Sequence, residues 1–135
     1  MIRYLLEDQK MKSLGLCVAM IFVLVFASIP TLAHHGEVNY DTGKLVSIKG
    51  TVTDFQFINP HVQIFLDVKN DKGEIEKWSC EARSPMMLIR VGGWAKDTLK
   101  PSDVITATGF RGRNGSTTMR LKKILLPDGR VMPDM

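Results

Sequence analysis

At 135 residues and a formal net charge of +4, the chain is one domain's worth of sequence, and its basic excess is too slight to mark a nucleic-acid binder. Its 44% hydrophobic content suits a folded core, and two cysteines, Cys17 and Cys80, are too few for a paired-cysteine zinc site.

The first third is organised for export. An apolar run, Leu14 to Ala27, stands behind Lys12 and leads into Ser28-Ile29-Pro30-Thr31-Leu32-Ala33 and then His34-His35-Gly36. That order is the pattern of a secretory signal cleaved after Ala33. A membrane anchor is the competing reading, but a spanning helix takes about 20 apolar residues and Pro30 breaks this run. Glu7 and Asp8 sit badly in a signal's basic start, whereas Met11-Lys12-Ser13 suits it, so Met11 is a candidate initiator. Cys17 lies in the apolar run with no lipobox-like pattern before it and leaves with the signal. Processing removes three of the 18 basic and two of the 14 acidic residues, leaving a net charge of +3. Cys80 is then the remaining cysteine, which excludes an intramolecular disulfide even in an oxidising compartment. The expected organisation is a signal over 1–33, a polar arm over 34–43 and a folded domain over 44–135, located in the periplasm or secreted.

Asp41-Thr42-Gly43 closes the arm with a turn signal. Apolar residues then alternate at Val46, Ile48 and Val52 with Gly50 in phase, and the alternation returns out of phase at Phe55 and Phe57. A parity shift inside one strand predicts a bulge or bend near Thr53-Asp54. Asn59-Pro60 ends that strand. Val62, Ile64, Leu66 and Val68 form a second, and Asn70-Asp71-Lys72-Gly73 supplies a hairpin turn. Trp78, Cys80 and Ala82 line the inner face of a third. Ser84 can cap a short helix with Pro85 at its first position and Met86, Met87, Leu88 and Ile89 as its body, ended by Gly92 or Gly93. Leu99-Lys100-Pro101-Ser102-Asp103 turns into a fourth strand, Val104 to Phe110. Arg113-Asn114-Gly115-Ser116 leads to a fifth, Thr117 to Leu126, with a closing turn at Pro127-Asp128-Gly129-Arg130.

Three strands, a short helix between the third and fourth, and two more strands are the element order of an all-β, five-stranded OB-like Greek-key barrel. A β-sandwich competes, but so short a domain offers few strands for two sheets. The expected core takes Val46, Ile48, Val52, Val62, Ile64, Leu66, Trp78, Val104 and Leu121, with Met87 and Leu88 from the helix.

The chain also resembles the small exported bacterial proteins grouped as a domain of unknown function. The resemblance rests on Ala33-His34-His35, Lys49-Gly50-Thr51-Val52, Asn59-Pro60-His61, Trp78, Ser84-Pro85, Gly93-Trp94, Leu99-Lys100-Pro101 and Asp128-Gly129-Arg130. Phe57 stands where that family's pattern has tryptophan, and Ser102 where it has glycine. The resemblance implies export and a small β-barrel, and it brings no activity with it.

The three histidines fall in two places, His34-His35 and His61. Cleavage after Ala33 exposes an amine on His34 that can chelate with its own ring or with that of His35. Such nitrogen ligands in a tetragonal array favour Cu(II), and His61 is a candidate third ligand. His61 is out of phase with Val62 and Ile64, which puts its ring outside the core. The bland alternative is a polar flank at the cleavage site and a histidine filling a turn after Pro60. The arm enters the first strand at Lys44 while His61 follows that strand's far end, so the two meet only if the arm folds back. Cys80 reads as core filler, and Trp78 and Trp94 as packing residues. Arg111, Arg113, Arg120, Lys122 and Lys123 make the last hairpin basic, which fits a solvated ribbon or an anionic envelope surface; export argues against nucleic acid.

No phosphate loop, HExxH or nucleophile elbow is present, and no carboxylate pairs convincingly with a histidine at short range in the sequence, so catalysis is not expected. The sequence therefore points to a periplasmic binding module with Cu(II) as candidate ligand through His34, His35 and His61. The alternative is a structural or adaptor protein holding an envelope partner with the barrel surface or the basic hairpin. Membrane contact is expected only through the uncleaved signal, and oligomeric state is left open. Intact-mass analysis of envelope fractions should find a species beginning at His34. A mature species that retains Leu14 to Ala27 would favour the anchor.

Overall fold

A computed structural model describes residues 39–134, together with Met1. The chain divides into two units, Met1–Ala33 and His34–Met135, and the barrel belongs to the second. The expected signal segment and cleavage site, with His34 and His35, lie outside the described residues.

The elements are β1 (Tyr40–Gln56), β2 (Gln63–Lys69), β3 (Ile75–Glu81), helix α1 (Pro85–Gly92), β4 (Val104–Gly112), a single 3₁₀ turn (Arg113–Gly115), β5 (Thr118–Leu125) and β6 (Val131–Pro133). They form one sheet in the order β3-β2-β1-β4-β5-β6, and a pairing of β3 with β5 closes it into a ring. That closing pair is parallel, with Ser79, Cys80 and Glu81 opposite Thr118, Met119 and Arg120; the other pairings are antiparallel. The OB-like five-stranded barrel with one helix between β3 and β4 is therefore present, and β6 adds a short strand beyond β5.

Strand β1 is long because it serves two neighbours, β4 along its first half and β2 along its second. The change of partner coincides with a register shift between Val52 and Asp54, where the hydrophobic parity reverses in the sequence. The first half begins earlier than the turn signal suggests. Tyr40 pairs with Gly112, and a register shift before Leu45 absorbs the Asp41-Thr42-Gly43 turn as an irregularity inside the strand pairing. Asp41 Oδ1 accepts the Gly43 N–H at 3.1 Å, so the turn forms locally without ending the strand. A third shift, between Thr108 and Gly109, interrupts the pairing of β4 with β5. A Cβ at Gly109 would collide with the Arg120 carbonyl oxygen, so only glycine allows the close approach there.

The core collects Val52, Val62, Ile64, Leu66, Trp78, Cys80, Leu88, Ile105, Leu121 and Ile124, with Val46 and Ile48 packed against its margin. Two expected members are outside it. Val104 is 45% exposed because the inward parity of β4 runs through Ile105, Ala107 and Gly109. Met87 is 36% exposed, since a two-turn helix lying on a barrel buries a narrow stripe, here Leu88. Ser84 takes the N-cap position with extended backbone and Pro85 follows it, while Gly93 at φ 64° ends the helix by returning its N–H to the Ile89 carbonyl. Trp94 then fills the space between helix and barrel and donates its Nε1–H to the Pro133 carbonyl at 2.9 Å.

The last described residue is a buried acid. Asp134 is 1% exposed, its Oδ1 accepts the Arg83 N–H at 3.3 Å, and the Arg83 Nε lies 3.7 Å away. Burial raises its pKa above the usual carboxylate range, and the charges of Arg120, Arg83 and Lys122 together with the Arg83 N–H oppose that rise. Because the folded-state value is raised, the contribution of this group is complete below the unfolded value of about 3.9 and is lost as pH climbs through the folded one. Relative to wild type, Asp134→Asn should therefore gain stability between acid and neutral pH, as read by urea unfolding at both. A relative loss at neutral pH would mean that the arginines dominate. Ile64→Ala, at a fully buried position, should cost about 2–5 kcal/mol; a cost within about 0.5 kcal/mol would contradict the inward phase of β2.

Candidate functional site at the barrel seam

Closing the ring through β3 and β5 sets Glu81 beside Arg120. Both side chains have the outward parity of their strands, on which Trp78, Cys80, Met119 and Leu121 point inward. They are half-buried at the seam. The Arg120 guanidinium donates to Glu81 Oε1 at 3.2 Å and to the Ala82 carbonyl at 3.3 Å. His61 arrives from the connection between β1 and β2, two residues before Gln63, which pairs with Glu81 across the sheet. Its Nδ1 lies 2.6 Å from Glu81 Oε1. The fourth member is Tyr40, whose hydroxyl points to Glu81 Oε2 at 3.5 Å.

The chemistry of the cluster follows from its one carboxylate. An ionised carboxylate accepts and does not donate, so the His61 Nδ1 carries a hydrogen in this contact and Nε2 is the nitrogen left to meet a ligand. The carboxylate thus fixes the tautomer, as such partners do for metal-ligating histidines. The His61 side chain is 48% exposed, which leaves the ring open to a ligand, in keeping with its parity. Tyr40 is held protonated, because burial, and after it the nearby Glu81 charge, push its pKa upward.

The linear order of the chain sets His61 and the beginning of β1 at opposite ends of a strand, yet Tyr40 and His61 meet the same carboxylate. The barrel's curvature brings them together, and no folding back of the arm is required up to Tyr40. The Glu81 partnership itself is not visible in the sequence, where 20 positions separate the two residues; an acid at an outward position of β3 is ordinary until the seam is known. Among the described residues no three histidine, cysteine or acidic side chains converge on a metal-sized site. His61 with Glu81 is therefore one ligand and its support, and His34 and His35 lie outside the described residues.

The other candidates separate cleanly. Cys80 is fully buried and burial pushes its thiol pKa up to about 12, so it has no thiolate to offer. Trp78 is buried, donates to Glu76 Oε2 at 3.0 Å and lies under the Arg111 guanidinium at 4.9 Å. The basic hairpin is spent largely on the protein itself. Arg111 donates to the Ser116 and Gly115 carbonyls, Arg113 to the Tyr40 carbonyl, and Arg120 to the seam, while the Lys122 ammonium sits 5.4 Å from the centre of the Phe110 ring.

No curated protein matches the sequence. Among solved structures, the barrel is similar to the S. cerevisiae mitochondrial single-stranded DNA-binding protein Rim1, at 10% identity and a TM-score of 0.43, over 68% of this chain and 97% of that one. Charge and export set nucleic acid aside as a partner at the level of sequence, and this neighbour removes the ground for that exclusion; a likeness at this level gives no ground for the opposite claim. The family resemblance is answered more directly, because the profile of a family of unknown function, DUF6152, matches residues 22–120. The chain belongs to that family.

Proposed function

We propose that the protein is an exported binding module, not an enzyme, that takes Cu(II) through His34, His35 and His61 once the segment ending at Ala33 has been removed. The observation that supports this best is the 2.6 Å contact between His61 Nδ1 and Glu81 Oε1. It presents Nε2 outward with a fixed ring plane, which is how imidazole ligands are prepared for a metal. The Tyr40 contact to the same carboxylate bears on reach. His35 precedes Tyr40 by five positions in the chain, and extended backbone covers about 3.3–3.6 Å per residue. An arm of about 17 Å tethered at the seam spans the distance to His61 easily. Amine and imidazole nitrogens together make a nitrogen-rich set suited to Cu(II).

The alternative is an adaptor that holds an envelope partner with the barrel surface or the basic hairpin. Calorimetry on processed protein separates the two. Cu(II) binding should weaken as pH falls below neutrality, because the ligands must shed protons to coordinate. One alanine added before His34 should weaken it sharply by moving the terminal amine. His61→Ala and Glu81→Gln should each cost about 10–100-fold, and by similar factors, because the second acts through the first. Equal affinity in wild type, the alanine-extended form and a His34→Ala/His35→Ala double variant would falsify the copper reading and leave the adaptor in first place.

A further inference from the structure

We infer a second binding site, independent of the copper reading, in the groove between the start of β1 and the β4–β5 loop: it takes a phosphate group. The groove has a volume of about 590 Å³ and is lined by Lys44, Arg111 and Arg113 against one acid, Asp41. Its lining thus carries a net positive charge in a concave surface, where low-dielectric walls concentrate the field. Asp41 is already turned to its own loop, accepting the Gly43 N–H.

The two arginines are anchored as well as charged. Arg111 commits Nε and one Nη to the Ser116 and Gly115 carbonyls, each at 3.0 Å, and lies over the Trp78 ring. Arg113 commits its Nε to the Tyr40 carbonyl at 3.2 Å. A guanidinium has five N–H donors in a rigid plane. These bonds fix the plane of each group while further donors stay on the Nη atoms of both. Ordering two arginines is the usual entropic cost of gripping an oxyanion, and here the fold has met it beforehand. The loop that follows Arg113 turns tightly, with Asn114 at φ 59° and Gly115 at φ 74°. Lys44 lines the groove from β1, at the register irregularity between Tyr40 and Leu45, and bulges of this kind re-aim side chains beside sites. Two planar forks and one ammonium suit a multiply charged tetrahedral oxyanion better than a single carboxylate. Val46 supplies an apolar patch on the wall, so the group can be free or carried on an organic molecule.

The test is titration of the isotope-labelled full chain with inorganic phosphate and, separately, phenyl phosphate at low ionic strength, followed by amide NMR. Saturable shifts at Lys44 and at Gly112 to Gly115 are expected, weakening as salt is added. Lys44→Gln should weaken binding about two- to fivefold with the rest of the spectrum unchanged. Arg113→Gln should weaken it more, although that variant also loses the tie to Tyr40, so Lys44→Gln is the decisive one. The tighter of the two probes tells free phosphate from an ester. Shifts scattered over the basic surface without saturation, or the same midpoint in wild type and Lys44→Gln, would overturn the proposal.

Discussion

The parallel pairing of β3 with β5 is the contact on which the rest of this molecule depends. It is short, joining Ser79, Cys80 and Glu81 to Thr118, Met119 and Arg120, but it turns an open sheet into a ring and gives the strands flanking it a neighbour on both sides. The inward members of the pair, Cys80 and Met119, are fully buried. The outward members, Glu81 and Arg120, form an ion pair at 3.2 Å. One junction thus seals the core from within and organises a polar cluster from without. A half-buried pair of this kind is worth keeping intact more than it is worth having, because removing either partner leaves the other charge poorly solvated. His61 and Tyr40 exploit that arrangement by sharing the carboxylate that the seam already requires.

The same economy explains the basic hairpin. A cluster of five cations near the end of a chain looks like a surface waiting for an acidic partner. In the folded protein Arg120 belongs to the seam, Arg113 ties the β4–β5 loop back to β1 through the Tyr40 carbonyl, and Arg111 ties that loop to itself and covers Trp78. Arginine suits this work because its several donors can serve carbonyls on one edge and remain charged on the other. Structural use and binding use are therefore compatible at Arg111 and Arg113, and it is their fixation that separates an organised groove from a merely basic surface.

What is legible in the sequence divides along the range of the interactions. Strict alternation at Val62, Ile64 and Leu66 locates β2 and its inward face, the parity change after Val52 locates the bend in β1, and Ser84-Pro85 with Gly93 brackets the helix, since each of these is encoded by neighbours. Val104 is misplaced by pattern alone because the first residue of a strand carries little parity information when Thr106, Thr108 and Gly109 blur the alternation after it. The start of β1 reads late because Asp41-Thr42-Gly43 is a real turn, and only pairing of Tyr40 with Gly112 reveals that the strand continues through it. The Glu81 site is invisible for the strongest reason. Its four residues come from four different stretches of chain, and nothing in local spacing encodes which strands a closing barrel will join.

Tyr40 links the two candidate sites physically. Its side chain reaches Glu81 at the seam, and its backbone carbonyl accepts the Arg113 Nε beside the basic groove, so one residue touches both from opposite ends. The phenol, whose pKa burial and the Glu81 charge push further up, is a donor to the carboxylate and holds the first residue of β1 at the seam. The first residue of β1 thus sits at the seam, beside the carboxylate that His61 shares.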